Sequence, residues 1–178
     1  MPENKDMTKI FASVNELLSK TDFDNVTAEG AGFAELPDGY YLCEVKSTEL
    51  TESKSSGLPM VAFAFQAVEN GLSPNKDGAF DEVKGSKNRW IRKYYTFKDE
   101  QSVKSFASDM MKFEGEEEGE SLLSKEYFTT AEVMEEALQL LVGLRLYVQL
   151  STTEKETGKT QWTNLVSWKR AAKFELPM

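Results

Sequence analysis

The alternation of apolar and polar positions along the chain predicts five β-strands. In each of them apolar or aromatic residues recur at every second position, which is typical of a strand with one face in a core. The polar segment 152–160, which contains Gly158, lies between the last two strands and predicts a hairpin. The predicted strands are residues 40–50, 58–69, 88–97, 144–151 and 161–169. The core positions predicted in the first two strands are Tyr41, Cys43, Val45, Val61, Phe63 and Phe65.

Apolar residues at three- and four-residue spacing predict three amphipathic helices, at residues 8–20, 99–113 and 130–142. Two segments rich in glycine, proline and polar residues lie outside both patterns. We expect residues 21–39 to be an irregular lead-in and residues 70–87 to be a long, mobile connection.

The order of these elements is that of an OB-fold, a five-stranded, partly open Greek-key barrel. A helix is followed by three strands, a helical segment at 98–142 and a final hairpin. The sequence therefore predicts an α+β protein with a five-stranded OB-like β-barrel, an N-terminal helix and a helical insertion between strands 3 and 4. In this interpretation residues 1–38 form the N-terminal helix and lead-in, and residues 39–178 form the OB-like domain.

Charge is distributed unevenly along the chain. The 178 residues include 30 acidic and 21 basic side chains, a net charge of −9 that by itself argues against a nucleic-acid partner. Residues 84–113, however, carry eight basic and three acidic side chains, and residues 145–178 carry six and three. Both positive segments belong to elements that an OB-fold presents to oligonucleotides, and the local field governs phosphate contact more than the total does.

The third predicted strand suggests a surface for single-stranded DNA. Trp90, Arg92 and Tyr94 share one face, whereas Ile91 and Lys93 belong to the opposite, interior face. Bases stack on aromatic rings without sequence preference, and arginine meets the phosphates. Two residues expected to point outward from the fourth strand extend this row. The candidate nucleic-acid-binding residues are Lys84, Lys87, Arg89, Trp90, Arg92, Tyr94, Arg145 and Tyr147.

The same residues also fit a purely structural interpretation. Trp90 and Tyr94 suit a strand that is packed in the core or covered by a helix, and the basic residues of 84–93 suit a solvated loop and edge strand. Trp162 and Trp168 are better explained as core residues. The acidic run at 114–120 is most simply a solvated loop; as a metal site it lacks the spaced Asp/Asn/Gly pattern of a calcium loop.

The composition excludes several kinds of catalysis. The chain has no histidine and one cysteine, Cys43, so it has neither a Ser-His-Asp triad nor an internal disulfide. It contains no phosphate-loop, dinucleotide or nucleophile-elbow motif. We therefore expect a binding protein, not an enzyme, with no cofactor and no metal. The polar first residues, the unpaired cysteine and the absence of a run of about 20 apolar residues predict a cytoplasmic protein without a membrane segment.

The turn Pro37-Asp38-Gly39-Tyr40 and the Ser/Lys-Gly loop at 53–60 lie within residues 35–71, and a further strand and turn segment runs from Gly143 to Lys169. Residues 35–71 resemble the opening of small bacteriophage and prophage proteins from replication and recombination gene clusters, a group similar to phage single-stranded DNA-binding proteins with an OB-fold, and the segment from Gly143 to Lys169 also resembles that group. The resemblance implies protection of single strands during phage DNA replication or recombination, in the cytoplasm of a host cell. We expect single-stranded DNA as the partner, and we leave open further partners among replication or recombination proteins and a homo-oligomer. Many such proteins end in an acidic tail, whereas this sequence ends in FELPM.

A function of another class remains open. Residues 114–144 carry nine acidic side chains and one basic side chain. An acidic phage protein with such a segment could bind a host or phage protein and occupy its nucleic-acid-binding surface as a decoy. A structural or assembly role, detectable as self-association, is a third interpretation.

Overall fold

The computed structural model describes residues 7–21, 23, 36–115, 117 and 119–177. The chain divides into two compact units, Met1–Glu35 and Leu36–Met178. In the first unit, helix α1 (Met7–Lys20) confirms the predicted helix, and none of its residues is buried. Most of the predicted lead-in at 21–39 lies outside the described residues.

The second unit combines antiparallel strands with short helices. Its strands are β1 (Gly39–Glu52), β2 (Pro59–Ala67), β3 (Gly71–Pro74), β4 (Phe80–Val83), β5 (Trp90–Thr96), β6 (Arg145–Lys155) and β7 (Gly158–Val166). Its helices are α2 (Glu100–Met110), α3 (Ala131–Leu140) and α4 (Trp168–Lys173), with a 3-10 turn at Lys125–Phe128. The α+β class and the helices between the third and fourth predicted strands are confirmed.

Strand β1 organises the sheet. Its first half pairs with β6, and most of its length after Cys43 pairs with β2. A register shift between Val45 and Ser47 marks a bulge, which bends the strand where it exchanges one partner for the other. β5 pairs with the far edge of β2, β7 pairs with β6, and β3 joins β1 to β4. All of these pairings are antiparallel.

Two details of the predicted barrel differ from the structure. The sheet has seven strands instead of five, and its two outermost long strands, β5 and β7, do not pair with each other, so the sheet is open among the described residues. The extra strands come from residues 70–87, which form the β3–β4 hairpin instead of a mobile connection. The Asn75 side chain accepts hydrogen bonds from the N–H groups of Asp77 and Ala79, and Gly78 has φ 77°. The polar residues and glycine therefore fix a tight turn.

The core lies between the inner face of the sheet and helices α2 and α3. The alternating residues of β1 and β2 predicted to be core are all buried. Phe106 and Met110 of α2 and Leu138 of α3 pack against them. Asp99 starts α2 by accepting the N–H of Ser102 at 2.8 Å, in a reciprocal capping box. Helices α2 and α3 therefore lie on the inner side of the sheet, opposite the outer face of β2 and β5.

The C-terminal segment covers a different part of the outer face. After β7, Ser167 caps the short helix α4 by accepting the N–H of Arg170. Ala171 and Leu176 are buried in a second apolar cluster with Tyr40 and Tyr147. No element was predicted for residues 170–178. In the structure this segment shields one end of the sheet from solvent.

No helix among the described residues is long and apolar enough to cross a membrane.

Candidate nucleic-acid interface

An aromatic and basic row lies on the outer face of β5. Trp90 and Tyr94 are 52% and 55% exposed, and Arg92 between them is also exposed. Ile91 is buried, and Lys93 turns inward and is partly buried. The predicted orientation of both faces is therefore confirmed. The alternative, in which Trp90 and Tyr94 are core or covered by a helix, is wrong for the helices of the second unit, because both rings are exposed.

The neighbouring strand leaves these rings accessible. In the register of β2 with β5, Ala62 lies opposite Tyr94, and Ala64 lies opposite Arg92. Because alanine has a single methyl group, it does not cover the long side chains beside it. Gln66, opposite Trp90, is held by a hydrogen bond from its Nε2 to the carbonyl of Asn88 at 3.1 Å. The result is a shallow strip of small residues bordered by Trp90, Arg92 and Tyr94.

The turn between β4 and β5 places three basic candidates at the Trp90 end of the row. Lys84 and Lys87 are exposed there, and Arg89 is half-buried. The turn is anchored by Ser86, whose buried hydroxyl donates to the Val83 carbonyl and accepts the N–H of Gly71. The backbone that carries these basic residues is therefore held in place at Ser86. The structure thus places Lys84, Lys87 and Arg89 in the turn directly before the β5 row.

Arg145 lies on the same outer face, across the sheet. It is opposite Glu44 of β1, and the next strands in this register carry Gln66 and then Trp90. Glu44 lies 2.5 Å from Lys46 Nζ and 3.9 Å from Arg145 Nε. The hydrogen bond from Lys46 and the charges of both cations lower the pKa of Glu44. Part of the positive charge of Arg145 is therefore balanced within the protein.

Tyr147 is not part of this interface. It was expected to extend the row, but only 1% of it is exposed. Its hydroxyl donates to the carbonyl of Pro177, and its ring lies 6.0 Å from that of Trp168. Burial, with a smaller effect of the Glu69 charge, raises the pKa of Tyr147 to about 12. The prediction is wrong because α4 and the segment after it cover this position.

Trp162 differs from its prediction in the opposite way. It was assigned to the core, but it is 50% exposed on β7, where its Nε1 donates to Thr153 Oγ1 at 2.7 Å. Trp168, the other predicted core tryptophan, is partly buried against Tyr147. The sequence does contain a signal for this exposure. Trp162 lies beside the polar hairpin 152–160, outside the apolar part of its strand.

The acidic loop shows local structure but no cluster of ligands. Glu114 and Ser121 form an isolated antiparallel bridge, and the N–H of Gly115 donates to the carbonyl of Glu120 at 2.9 Å. In the part of the chain that the structure describes, no three carboxylates or thiols gather in a way that could hold a metal ion.

Comparison with known proteins gives a family but no activity. The model of the family described as "Protein of unknown function (DUF669)" matches residues 21–173. This segment contains every strand of the sheet and all eight candidate residues. No curated protein matches the chain. Because the match spans most of the sequence, the chain belongs to the DUF669 family of proteins of unknown function.

Proposed function

We propose that this protein binds single-stranded DNA without sequence preference and without catalysing a reaction on it. The observation that carries the proposal is the exposed row Trp90, Arg92 and Tyr94 beside the alanines of β2. Aromatic rings of this size are normally buried when they have only a packing role. Rings left open on a strand, with an arginine between them, form a surface on which unpaired bases stack.

The spacing of the row suits two stacked bases. Trp90 and Tyr94 are four residues apart on one strand, which separates their Cα atoms by about 13 Å at ~3.3 Å per residue. Arg92 lies midway and is directed toward the same side, where it can meet a phosphate between the two bases. Each stacked base contributes roughly 1–3 kcal/mol, and every base has a face that can stack. This accounts for affinity without sequence recognition.

The strand connections support an OB-like interpretation of the sheet. Strands β1, β2 and β5 follow one another as neighbours, and β6 returns to the other side of β1 before turning into β7. If β3 and β4 are an inserted hairpin, these five strands correspond to those of an OB-fold. The aromatic row then lies on the face of strands 2 and 3, where OB-folds bind oligonucleotides.

Electrostatics favours contact at the β5 end of the sheet. Lys84, Lys87, Arg89 and Arg92 lie on or beside β5, while Glu44 is already paired with two cations. For single strands, the logarithm of the binding constant falls with the logarithm of salt concentration with a slope of about −0.7 for each phosphate contact. Four contacts therefore predict a slope of about −3.

The resemblance of residues 35–71 to phage proteins supports a role in phage DNA replication or recombination, in the cytoplasm of a host cell. In such a setting the protein would protect exposed single strands, with replication or recombination proteins as partners. A homo-oligomer is compatible with this role, because several copies cover one strand.

A titration of fluorescein-labelled oligo-dT, followed by anisotropy, tests the proposal. We expect a micromolar or tighter Kd at low salt that weakens steeply as salt is added. Replacing both aromatics, Trp90→Ala/Tyr94→Ala, should raise the Kd by 30-fold or more, since about 2–6 kcal/mol of stacking is lost. Trp162→Ala is the matched control, because Trp162 is equally exposed but lies on β7. No binding by the wild type at low salt refutes the function, and an unchanged Kd in the double variant refutes the site.

A second candidate is favoured by one observation. Glu132, Glu135 and Glu136 of α3 are all exposed and form part of the strongly acidic segment 114–144. Such a surface suits a basic partner, as in a protein that mimics nucleic acid. Capture of a stoichiometric basic protein from nuclease-treated host lysate, together with no affinity for oligo-dT, would favour this function.

A further inference from the structure

Side chains connect the outer edges of the two outermost long strands, β5 and β7. β5 pairs with β2 on one side, and β7 pairs with β6 on one side, so each has a second edge without a strand partner among the described residues. An unpaired backbone carbonyl in a partly buried place is costly. Two lysines, Lys93 of β5 and Lys112 after α2, donate hydrogen bonds to backbone carbonyls of β7.

Lys93 provides the first link. Its backbone belongs to β5, its side chain turns inward, and its Nζ donates to the carbonyl of Thr163 on β7. The Nζ also lies 5.0 Å from the centre of the Tyr95 ring. Burial lowers the pKa of Lys93, while the negative charge of Asp109 opposes that shift. A lysine in such a place has given up much of its hydration for these contacts.

Lys112 provides the second link, from the residues that follow α2. Its Nζ donates to the carbonyl of Leu165 at 3.1 Å and to Asp109 Oδ1 at 2.7 Å. The other carboxylate oxygen of Asp109 accepts the hydroxyl of Tyr95, also at 2.7 Å. Asp109 therefore joins the lysine that binds β7 to a side chain of β5. The four side chains form one connected polar cluster.

The two carbonyls are not a random pair. Thr163 and Leu165 are two residues apart on β7, and carbonyls at that spacing point to the same edge of a strand. A neighbouring strand would donate to them from the N–H groups of alternate residues. Here the two ammonium groups donate in their place, and hydrogen bonds from charged donors are stronger than those of a neutral ladder.

We infer that Lys93 and Lys112 are positioning residues that fasten β5 to the edge of β7 and hold the Trp90–Arg92–Tyr94 face in place for a bound strand. The effect of these lysines on DNA binding rests on the proposed function. Their attachment of β5 to β7 does not. β5 has only one strand partner, and two of its inward side chains, Lys93 and Tyr95, enter the cluster. Loss of the contacts of Lys93 and Tyr95 should make β5, the strand that carries the aromatic row, more mobile.

Hydrogen exchange and oligo-dT titration on the full chain test the two parts separately. In Lys93→Met and Lys112→Met we expect amide exchange in β5 to accelerate by about 10-fold or more, because hydrogen bonds from a charged group are lost. Exchange in residues 39–44, which pair with β6, should stay unchanged. The Kd for oligo-dT should rise by about 3- to 10-fold, and Lys93→Arg should restore much of the loss.

Lys104→Met is the matched control, since Lys104 is an exposed lysine on α2. If it raises the Kd as much as Lys93→Met does, the effect is loss of charge, and the positioning role is wrong. Unchanged exchange in β5 overturns the fastening, whatever happens to DNA binding. If Lys93→Met does not fold, Lys112→Met decides the question. If the wild type shows no affinity for oligo-dT, the proposed function and the positioning role fail together, and the exchange data still decide whether the lysines fasten β5.

Discussion

Replacing Glu49 with glutamine should tighten the binding of single-stranded DNA. Glu49 is exposed on β1, and in the register of the sheet it pairs with Ala62, which pairs with Tyr94. Cross-strand partners point to the same face, so the carboxylate lies on the outer face with the aromatic row. A strand bound there would bring its phosphates close to this negative charge.

The sheet geometry gives the size of the effect. Two steps between neighbouring strands, each of about 4.8 Å, place Glu49 roughly 10 Å from the line of β5. At this distance one phosphate and one carboxylate repel each other by about 0.4 kcal/mol in water. Two phosphates in range give about 0.8 kcal/mol, so Glu49→Gln should lower the Kd by about fourfold when salt screens little. Near physiological salt, where the screening length is about 8 Å, the gain should fall below about twofold.

Anisotropy titrations with oligo-dT at about 0.01 M and 0.15 M salt measure this change. Glu132→Gln removes the same charge from α3, which packs with the inner side of the sheet, and it is therefore the matched control. Glu49→Gln should exceed it clearly at low salt. Equal gains in the two variants would mean that only net charge matters, and the assignment of the outer face of β5 would be refuted.

Three further outcomes follow from contacts in the fold. Phe106→Ala should lower the free energy of unfolding by about 3–5 kcal/mol in urea, because the ring is fully buried in the core. Tyr147→Phe should lower it by about 1 kcal/mol through loss of the hydrogen bond to Pro177, with no change in oligo-dT affinity. Although partial burial opposes it, hydrogen bonds from Thr152 and Gln161 lower the pKa of Asp38 below its ordinary 3.8. Asp38→Asn should therefore be less stable than the wild type at neutral pH, and the gap in urea midpoint should shrink as the pH falls below about 3.8, since protonation removes the same interaction.

The long strands could be predicted because their burial follows the strand period. Tyr41, Cys43 and Val45 alternate with more exposed residues, and every second side chain of a strand meets the same core. The same rule places Trp90 and Tyr94 on the face opposite Ile91. Alternation assigns the faces, but it does not show whether another element covers the outer one. In the second unit α2 and α3 pack on the inner side, whereas α4 covers the outer side at Tyr40 and Tyr147.

Short elements were missed because they hold too few residues for a period to be visible. Strands β3 and β4 have four residues each, and glycine there suggested mobility. Gly71 has a different purpose: a Cβ at this position would lie 2.3 Å from the ring of Tyr41, so only glycine permits the contact. Helix α4 has only six residues and was not predicted. Without this helix, Tyr147 was expected to be exposed. The secondary structure of such short segments depends on tertiary contacts, which the sequence pattern does not show.

The two candidate functions use different parts of the second unit, so evidence for one does not exclude the other. The aromatic row belongs to the outer face of β5, and the exposed glutamates belong to α3, whose buried side packs into the core on the inner face. A decoy whose acidic surface replaces DNA needs no open aromatic rings, and their exposure remains unexplained by that function. A DNA-binding protein that also recruits a basic partner through α3 accounts for both surfaces. Such a protein should keep its affinity for oligo-dT when the partner is bound, whereas a decoy should have none to keep.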